Sequence, residues 1–375
     1  ALLREHAALR RLLEAHLELA SEYQRRHTKA EKNKEGGIQW EQKLRFHMSF
    51  LSSRQKQGYT SYLQGNGTLS MQSEHQNSSF WLYPYKVINR RLTISEDDKK
   101  KLGTGSLNQV SIPMGSYLIR IKTPDHADVL YPVFVARKSN VFVAPQNRTS
   151  LQPIHIPKEN YSSLCYIPCG WFIQGGDPLA LHCPPSKSVW LESFYIQKYP
   201  ITNRDYLIFL NDLISKNKED EAIQYCPQEA GGMLLYQYQN NRFELKPDKE
   251  GDQWELNWPV MMVSHDCALA YAEWKTQKDG RKWSLPTEKQ WEKAARGVDG
   301  RFFPWGNHFD PQFCCMQKSH SSTHILPASI HDFPKDISPY GIRSMAGNIR
   351  EWTSSTTQHG EHVLRGGGWY MAEHT

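Results

Sequence analysis

The first 57 residues carry apolar side chains at the spacing of an α-helix. Two stripes have this spacing, and their members are Leu2, Leu9, Leu12, Leu13, Leu19 and Tyr23 in the first and Trp40, Leu44, Met48 and Leu51 in the second. The sequence Lys34-Glu35-Gly36-Gly37 separates the stripes and is typical of a break between helices. The pattern therefore predicts a helical hairpin over residues 1–57, which can bury its stripe against itself, a neighbouring domain or a second copy.

Between residues 58 and 150 the pattern changes to short alternating runs separated by turns, which is typical of a small β-sandwich. The predicted strands cover residues 67–71, 80–83, 117–121 and 131–135. The segment that begins Gly103-Thr104-Gly105 imitates a kinase glycine loop, but the sequence contains no His-Arg-Asp or Asp-Phe-Gly triplet. We therefore interpret this segment as a turn between strands.

The segment 161–375 is rich in Trp, Gly and Pro, and three helices are predicted within it. The first covers 203–216 behind Thr202, a residue suited to cap a helix, and the second begins near His265. The third begins at Pro286 and runs through Ala295. Aromatic residues lie in irregular sequence between these helices, which is typical of long loops held in place by buried rings.

Composition narrows the class of protein. The chain has 375 residues, of which 39% are hydrophobic and 22% charged, so it is a globular protein. Its net charge of +6 is spread along the sequence, and we therefore expect no nucleic-acid partner. No apolar run is long enough for a membrane span or a secretory signal. The 7 cysteines, an odd number in a chain of this size, favour a reducing, cytoplasmic location.

Several motifs in the last segment follow one another in a fixed order. They cover residues 194–203, 258–260, 283–297, 303–307, 338–341, 345–353 and 364–369. In this order they resemble the formylglycine-generating enzyme (sulfatase-modifying factor) family, a variant of the C-type lectin fold. The resemblance implies an α+β, C-type-lectin-like formylglycine-generating-enzyme fold for residues 161–375, preceded by the small β-sandwich and the N-terminal helical hairpin.

The β-rich segment has a resemblance of its own. A Pro113-Met114-Gly115 turn leads into a strand that contains Tyr117, and residues 112–121 resemble a PEGA-type β-sandwich. The order of hairpin, PEGA-like module and C-terminal domain is similar to the carboxyl-terminal half of certain bacterial serine/threonine protein kinases. This similarity implies a signalling role with a kinase domain in cis or in trans. We also expect the chain to be part of a longer protein, with its C-terminal domain incomplete at Thr375.

The resemblance bears on catalysis through one position. The family uses two thiolates that bind copper(I), and the first follows a glycine-rich turn by three residues. Placing Gly368 and Trp369 on that turn puts Met371 at the position of the first cysteine, and the second would lie beyond Thr375. A thioether binds copper(I) but forms neither a thiolate nor a disulfide. We therefore expect no copper and a non-catalytic sensory or recognition role.

Two alternatives remain open at this point. One is a formylglycine-generating-type copper oxidase whose catalytic cysteines lie beyond Thr375. The other is a hypervariable ligand-binding protein, because some members of the fold diversify their terminal loops. Both alternatives depend on residues that follow Thr375.

The resemblance also implies a ligand surface near the family's substrate groove. We expect a protein or peptide ligand there, since loops on a rigid scaffold commonly carry such contacts. The predicted ligand-binding residues are Trp305, Asn307, Asn348, Arg350, Trp352, Arg365, Trp369 and Tyr370.

A structural calcium site is the third implication of the resemblance, since the family's calcium sites are rich in oxygen ligands. The expected ligands are the side chain of Ser344, the carbonyl groups of Gly347 and Ile349, and the carboxylate of Glu351. The alternative for Glu351 is a carboxylate that braces the loop by accepting backbone N–H bonds.

The cysteines suggest one further metal site. Cys165 and Cys169 could join His182 and Cys183 around zinc, but this spacing fits no standard zinc motif. We predict buried small side chains at these cysteines instead.

Overall fold

A computed structural model describes residues 2–33, 38–63, 65–178, 180, 183–229, 232–320 and 325–372. The helical segment contains one helix more than predicted, and its helices are α1 (Leu2–Asn33), α2 (Ile38–Ser49) and α3 (Ser53–Leu63). The predicted break at 34–37 lies outside the described residues. The predicted boundary after residue 57 falls inside α3, because Leu63 belongs to the same small core as Ala20 and Leu44.

Two four-stranded sheets follow the helices along the chain and pack face to face. In one sheet Asn66–Ser73 is the central strand, paired with Pro153–Ile154, Asn140–Phe142 and Ser106–Pro113. The other sheet has the order Lys100–Thr104, Ser79–Pro84, Gly115–Lys122 and Val129–Val135. Leu69 and Ile112 from the first sheet meet Phe80 and Ile119 from the second in one buried core. The strands of the two sheets are β1 (Asn66–Ser73), β2 (Ser79–Pro84), β5 (Lys100–Thr104), β6 (Ser106–Pro113), β7 (Gly115–Lys122), β8 (Val129–Val135), β9 (Asn140–Phe142) and β10 (Pro153–Ile154). Two further strands, β3 (Lys86–Ile88) and β4 (Arg91–Thr93), form a separate antiparallel pair.

The four predicted strands of this sandwich are confirmed as parts of β1, β2, β7 and β8. The glycine-rich segment is confirmed as a turn: Gly105, with a φ of 69°, connects β5 to β6. The sandwich extends past residue 150, since Ile154 pairs with Ser73 in parallel register and is fully buried in the sandwich core.

The C-terminal region combines helices with pairs of antiparallel strands. Its predicted helices are confirmed. Thr202 and Thr287 each accept the N–H three residues ahead and complete a capping box, while Ser264 caps the helix that Gly280 ends in a left-handed conformation. The elements are β11 (Leu164–Ile167), β12 (Gly170–Gln174), β13 (Lys187–Leu191), β14 (Phe194–Gln197), α4 (Asn203–Ser215), α5 (Glu219–Tyr225), β15 (Tyr236–Gln239), β16 (Arg242–Leu245), α6 (His265–Asp279), α7 (Glu288–Arg296), β17 (Glu351–Thr356) and β18 (His362–Arg365).

The sandwich and the C-terminal region share an extensive contact. The N–H of Leu92 in β4 donates to the carbonyl of Trp305 at 2.7 Å. The indole of Trp171 donates to the carbonyl of Ala144 at 2.8 Å, so a second bond crosses the same boundary. No helix among the described residues has both the length and the apolar content that a bilayer-crossing helix needs.

Candidate functional site

A groove of about 610 Å³ lies on the C-terminal region. One wall is β14, and the opposite wall is the segment 283–286 that leads into α7. Arg350 and Trp352, at the start of β17, line the groove together with one face of α6. Two of the eight predicted ligand-binding residues therefore line this groove.

Glu351 also lines this groove and is half-buried, with its carboxylate directed inward. The indole N–H of Trp291 in α7 donates to this carboxylate. Burial raises the pKa of Glu351, and the bond from Trp291 opposes that shift. Glu351 therefore braces the groove through a side-chain indole, whereas the sequence suggested backbone N–H donors.

Three of the predicted ligand-binding residues form hydrogen bonds with backbone groups of the protein itself and do not line the groove. Trp305 is 2% exposed, and its indole donates to the carbonyl of His308 at 2.8 Å. Asn307 accepts the N–H of Phe302 at 2.8 Å. Asn348 is buried and holds both the N–H and the carbonyl of Ala328, at 3.0 and 2.8 Å. Trp305 is buried in a cluster with Phe313, Cys314 and Met316, and Asn348 is buried as well, so these two residues offer a ligand little surface, while Asn307 is half-buried.

The remaining three predicted residues lie near the end of the described chain. Trp369 and Tyr370 form an edge-to-face aromatic pair with ring centres 5.0 Å apart, and Tyr370 is 52% exposed. Arg365 forms ion pairs with Glu288 and with Glu292 in α7. Trp369 and Tyr370 therefore form a second exposed surface, since neither lines the groove.

Met371 closes a tight turn on this second surface. Its N–H donates to the carbonyl of Gly368 at 3.0 Å, and its sulfur accepts the N–H of the same residue at 3.2 Å. Its carbonyl accepts the N–H of Gln317 at 3.1 Å. The thioether is thus held against the backbone of the glycine-rich turn. Residues 373–375 lie outside the described residues.

The cysteines are free thiols, and most of them are buried. Burial raises the pKa of Cys165 to about 11 and the pKa values of Cys226 and Cys315 to about 12. Burial also raises the pKa of Cys169, which the Lys293 charge opposes, and that of Cys314. These five side chains are therefore thiols, not reactive thiolates, at neutral pH.

The predicted zinc alternative is only partly described, because His182 lies outside the described residues. Among the residues that the structure does describe, no three side chains of His, Cys, Asp or Glu come together as a metal site. The prediction of buried small side chains is confirmed for Cys165 and Cys169, whereas Cys183 is half-buried.

Two of the four expected calcium ligands accept hydrogen bonds from within the protein. The carbonyl of Gly347 accepts the N–H of Ile349 at 3.0 Å. The carbonyl of Ile349 faces Gly366, so closely that a methyl group there would lie 3.1 Å from it. Glu351 is engaged by Trp291, and its raised pKa disfavours the charged form that calcium needs. Among the described residues, no hydrogen-bond partner of the Ser344 side chain is found. The other three expected ligands have the contacts given above, so the four residues fit calcium poorly.

The groove wall was missed by sequence reasoning. Tyr195 in β14 and Arg281 before α7 both line it, although neither belongs to the predicted site. The sequence holds one signal, since Tyr195 stands between the apolar residues Phe194 and Ile196 of a predicted strand and should therefore lie on its other face. In the structure Tyr195 is 41% exposed.

Comparison with known protein families identifies the family of the C-terminal region. Residues 149–375 match the model of the sulfatase-modifying factor enzyme 1-like domain, which is more than half of the 375-residue chain. The chain therefore belongs to the family of proteins with a sulfatase-modifying factor enzyme 1-like domain.

Three proteins of known sequence are similar to this chain over part of their length. The uncharacterised protein YfmG of Bacillus subtilis is 33% identical over 192 residues, which cover 46% of this chain and 35% of YfmG. The inactive C-alpha-formylglycine-generating enzyme 2 of Bos taurus is 30% identical over 217 residues, covering 49% of this chain and 68% of that protein. The serine/threonine-protein kinase pkn1 of Chlamydia caviae is 25% identical over 197 residues, covering 52% and 28%. The chain thus spans well under two thirds of YfmG and of pkn1.

Proposed function

We propose that this chain is a non-catalytic recognition region of a bacterial signalling protein, whose C-terminal region binds a protein or peptide. The observation that carries the proposal is Met371, a thioether folded onto the glycine-rich turn where the family resemblance implies a copper-binding thiolate. The buried, protonated cysteines add support, because none of the five with a raised pKa is a ready replacement. The similarity to a bovine protein named inactive is consistent with this function.

The signalling part of the proposal has separate support. A relative named as a serine/threonine-protein kinase shares the matched region, which favours association with a kinase domain in cis or in trans. The sandwich and the helical segment would connect recognition to that partner, and we retain the PEGA-like and C-type-lectin-like descriptions as proposals. The free thiols of all the cysteines favour a reducing, cytoplasmic location.

The ligand surface that we propose has two parts. One is the aromatic pair of Trp369 and Tyr370, and the other is the groove that Arg350 and Trp352 line. Aromatic and arginine side chains that remain partly exposed are common anchors in protein recognition. The predicted residues Trp305, Asn307 and Asn348 are no longer included, since they satisfy interior backbone groups.

The test of the non-catalytic role uses the purified chain with copper(I) and a cysteine peptide under oxygen. We expect no stoichiometric copper binding and no aldehyde product, while an active formylglycine-generating enzyme assayed in parallel gives both. Production of aldehyde by this chain would overturn the proposal. Binding is tested with a peptide array, where Trp369→Ala and Arg350→Ala should each remove a subset of the captured peptides.

A further inference from the structure

We propose that the side chains of His16 and His47 form a pH-sensitive contact, which holds α1 against α2 at neutral pH and is lost in acid. This inference concerns the helical segment and is independent of the proposed recognition function. Three observations inside that segment carry it: a hydrogen bond between the two imidazoles, the aromatic rings stacked on them, and the charges that surround them.

The two imidazoles share one hydrogen bond. Nδ1 of His16 in α1 lies 2.9 Å from Nδ1 of His47 in α2. A neutral imidazole has one N–H donor and one acceptor nitrogen, whereas a protonated imidazole has two donors and no acceptor. One ring therefore donates its Nδ1–H, and the other must accept it. The bond can form when neither ring or one ring is charged, and it is lost when both rings are charged.

Stacked aromatic rings hold the two histidines in place. His16 stacks on Phe50, the residue directly after α2, with ring centres 4.2 Å apart. His47 stacks on Tyr23 of α1 at 5.4 Å. Both histidines are half-buried in this arrangement. Separating two charged imidazoles therefore requires ring contacts between the two helices to break.

No carboxylate compensates a second charge on the pair. Among the described residues, neither imidazole forms an ion pair with an acidic side chain. Glu22 of α1 pairs instead with Arg25 and Arg26, and Glu41 of α2 pairs with Arg45. Protonation of both histidines thus places two like charges next to each other without an anion to offset them.

The neighbouring positions add positive charge or none. Lys43 is the one charged residue among the positions three or four residues from either histidine, and it lies 5.5 Å from the ring centre of Tyr23. From α3, Lys56 donates to the carbonyl of Ser49 at 3.3 Å. The remaining titratable group from α3 is the hydroxyl of Tyr59, which is bonded to Ser21 at 2.5 Å and is neutral in this pH range. The positions at helical spacing from the pair are Leu12, Leu13, Leu19, Ala20, Lys43, Leu44, Phe50 and Leu51.

The sign of the pH dependence follows from His47. Burial lowers the pKa of His47, and the charge of His16 lowers it further. The unfolded state therefore holds the His47 proton more tightly than the folded state does. The stabilising contribution is complete above the ordinary value of 6.5 and is lost as pH falls from there through the folded pKa. By itself, His47 should raise the equilibrium constant for unfolding by at most about tenfold per pH unit in that range.

A third histidine of the segment has to be separated from this pair. Burial lowers the pKa of His27 to about 4, and Nδ1 of His27 is bonded to the hydroxyl of Tyr62 at 2.7 Å. His27 therefore adds an acid dependence of its own. A double-mutant cycle on His16 and His47 cancels this contribution, because His27 is present in all four proteins.

The cycle uses His16→Leu, His47→Leu and the double variant in the whole chain, with EDTA present so that no metal ion joins the two rings. Urea denaturation, followed by far-UV circular dichroism, measures the equilibrium constant for unfolding at about pH 7.5 and about pH 5. We expect a favourable coupling of about fivefold at the higher pH, and none or one of opposite sign at the lower pH. Equal couplings at both pH values would overturn the inference.

His155→Leu is the matched control. Nδ1 of His155 lies 3.0 Å from the carboxylate of Glu74, so acid should strengthen that contact. This variant should lose stability in acid at least as steeply as the wild type does, whereas His47→Leu should lose it less steeply. An equally steep loss in His47→Leu and in the wild type would show that His47 is not a source of the acid sensitivity.

Nitrogen NMR of the imidazoles tests the contact in the wild type, without a substitution. We expect His47 to titrate below its ordinary value of 6.5, and its pKa to rise in His16→Leu because the neighbouring charge is removed. If the titration of His47 is the same with and without His16, the two rings do not interact and the inference is wrong.

Discussion

The guanidinium of Arg301 lies 4.7 Å from the centre of the Tyr85 ring, and this contact joins the C-terminal region to the β-sandwich. Arg301 also pairs with Asp299 at 2.8 Å, and both side chains are buried. A buried charge pair of this kind is tolerated because each partner offsets the desolvation of the other. The contact between the two parts of the molecule therefore depends on both charges being present.

Replacing Arg301 by methionine should destabilise the protein strongly. The change leaves the Asp299 carboxylate buried without its partner, which costs about 3 to 5 kcal/mol of unfolding free energy. Asp299→Asn in the same background should recover part of that loss, and urea denaturation measures each variant. The matched control is Asp98→Asn, which breaks the exposed pair with Lys86 and should change stability by less than about 1 kcal/mol. A similarly small effect of Arg301→Met would contradict the expectation.

Lys293 should make stability rise with pH in the alkaline range. Its ammonium is 1% exposed and donates to the carbonyls of Pro168 and Gly170 at 2.8 and 3.0 Å. Burial lowers the pKa of Lys293 from 10.5 to about 7. Between these values the unfolded state holds the Lys293 proton more tightly than the folded state, so Lys293 by itself should add about 1.4 kcal/mol of unfolding free energy per pH unit.

Denaturation of the wild type and of Lys293→Met at several pH values between 7 and 10.5 measures this contribution. The variant should lack the slope that Lys293 adds. Lys289→Met changes an exposed lysine on the same helix and should retain it. Identical slopes in the wild type and Lys293→Met would show that Lys293 is not the source.

Glu351 should have the opposite pH dependence. Its pKa is raised above 4.5 by burial, so the folded state holds the proton more tightly than the unfolded state does. Its contribution is therefore most favourable at low pH and is lost as pH rises through the folded pKa. Glu351→Gln keeps an acceptor for the Trp291 indole without the titration, and at pH 7 we expect it to be more stable than the wild type.

The advantage of Glu351→Gln should shrink as pH falls below the ordinary glutamate value, as measured by thermal unfolding. Glu361→Gln, at an exposed position, is the control and should give no such trend. Excess calcium should leave the melting temperature of both wild type and Glu351→Gln unchanged, because the Gly347 carbonyl and the Glu351 carboxylate already accept hydrogen bonds within the protein. A calcium-dependent rise that is confined to the wild type would instead support the calcium site expected from the family.

Leu44 should carry much of the stability of the helical segment. It is fully buried between α1, α2 and α3, and its replacement by alanine should cost about 3 kcal/mol through lost burial and a cavity. Phe46, two residues away in α2, is 59% exposed, and Phe46→Ala should change stability by less than about 0.5 kcal/mol. Far-UV circular dichroism during urea denaturation reports the helices, and equal effects of the two substitutions would contradict the packing described.

Helices whose ends are fixed by neighbouring capping residues could be predicted from the sequence. The capping residues Thr202 and Thr287 lie within three residues of the groups they satisfy, so α4 and α7 could be predicted from the sequence. Helix α5, which has no side-chain cap, was not predicted. Helix α3 was missed because its apolar residues are few and its burial depends on Leu63 reaching the core of other helices.

The candidate site was harder to predict because it depends on distant contacts. Trp305 stands in a motif of the family, yet it is buried with Phe313, Cys314 and Met316, and its carbonyl accepts the N–H of the distant Leu92. All four residues of β14 line the groove, and their placement depends on the pairing of β11 with β14 and not on either strand alone. The sequence analysis named Arg350 and Trp352 as ligand-binding residues, and the motif that contains them does lie on the groove wall.

The parallel pairing of β10 with β1 affects how truncated forms of this protein should be designed. The family match begins at residue 149, yet Ile154 and Ile156 lie in the sandwich core. Truncation at the family boundary would remove a strand from the upstream sheet and leave two isoleucines facing water. Recombinant fragments designed on homology limits should therefore aggregate, whereas fragments that start before β1 keep the sheet whole.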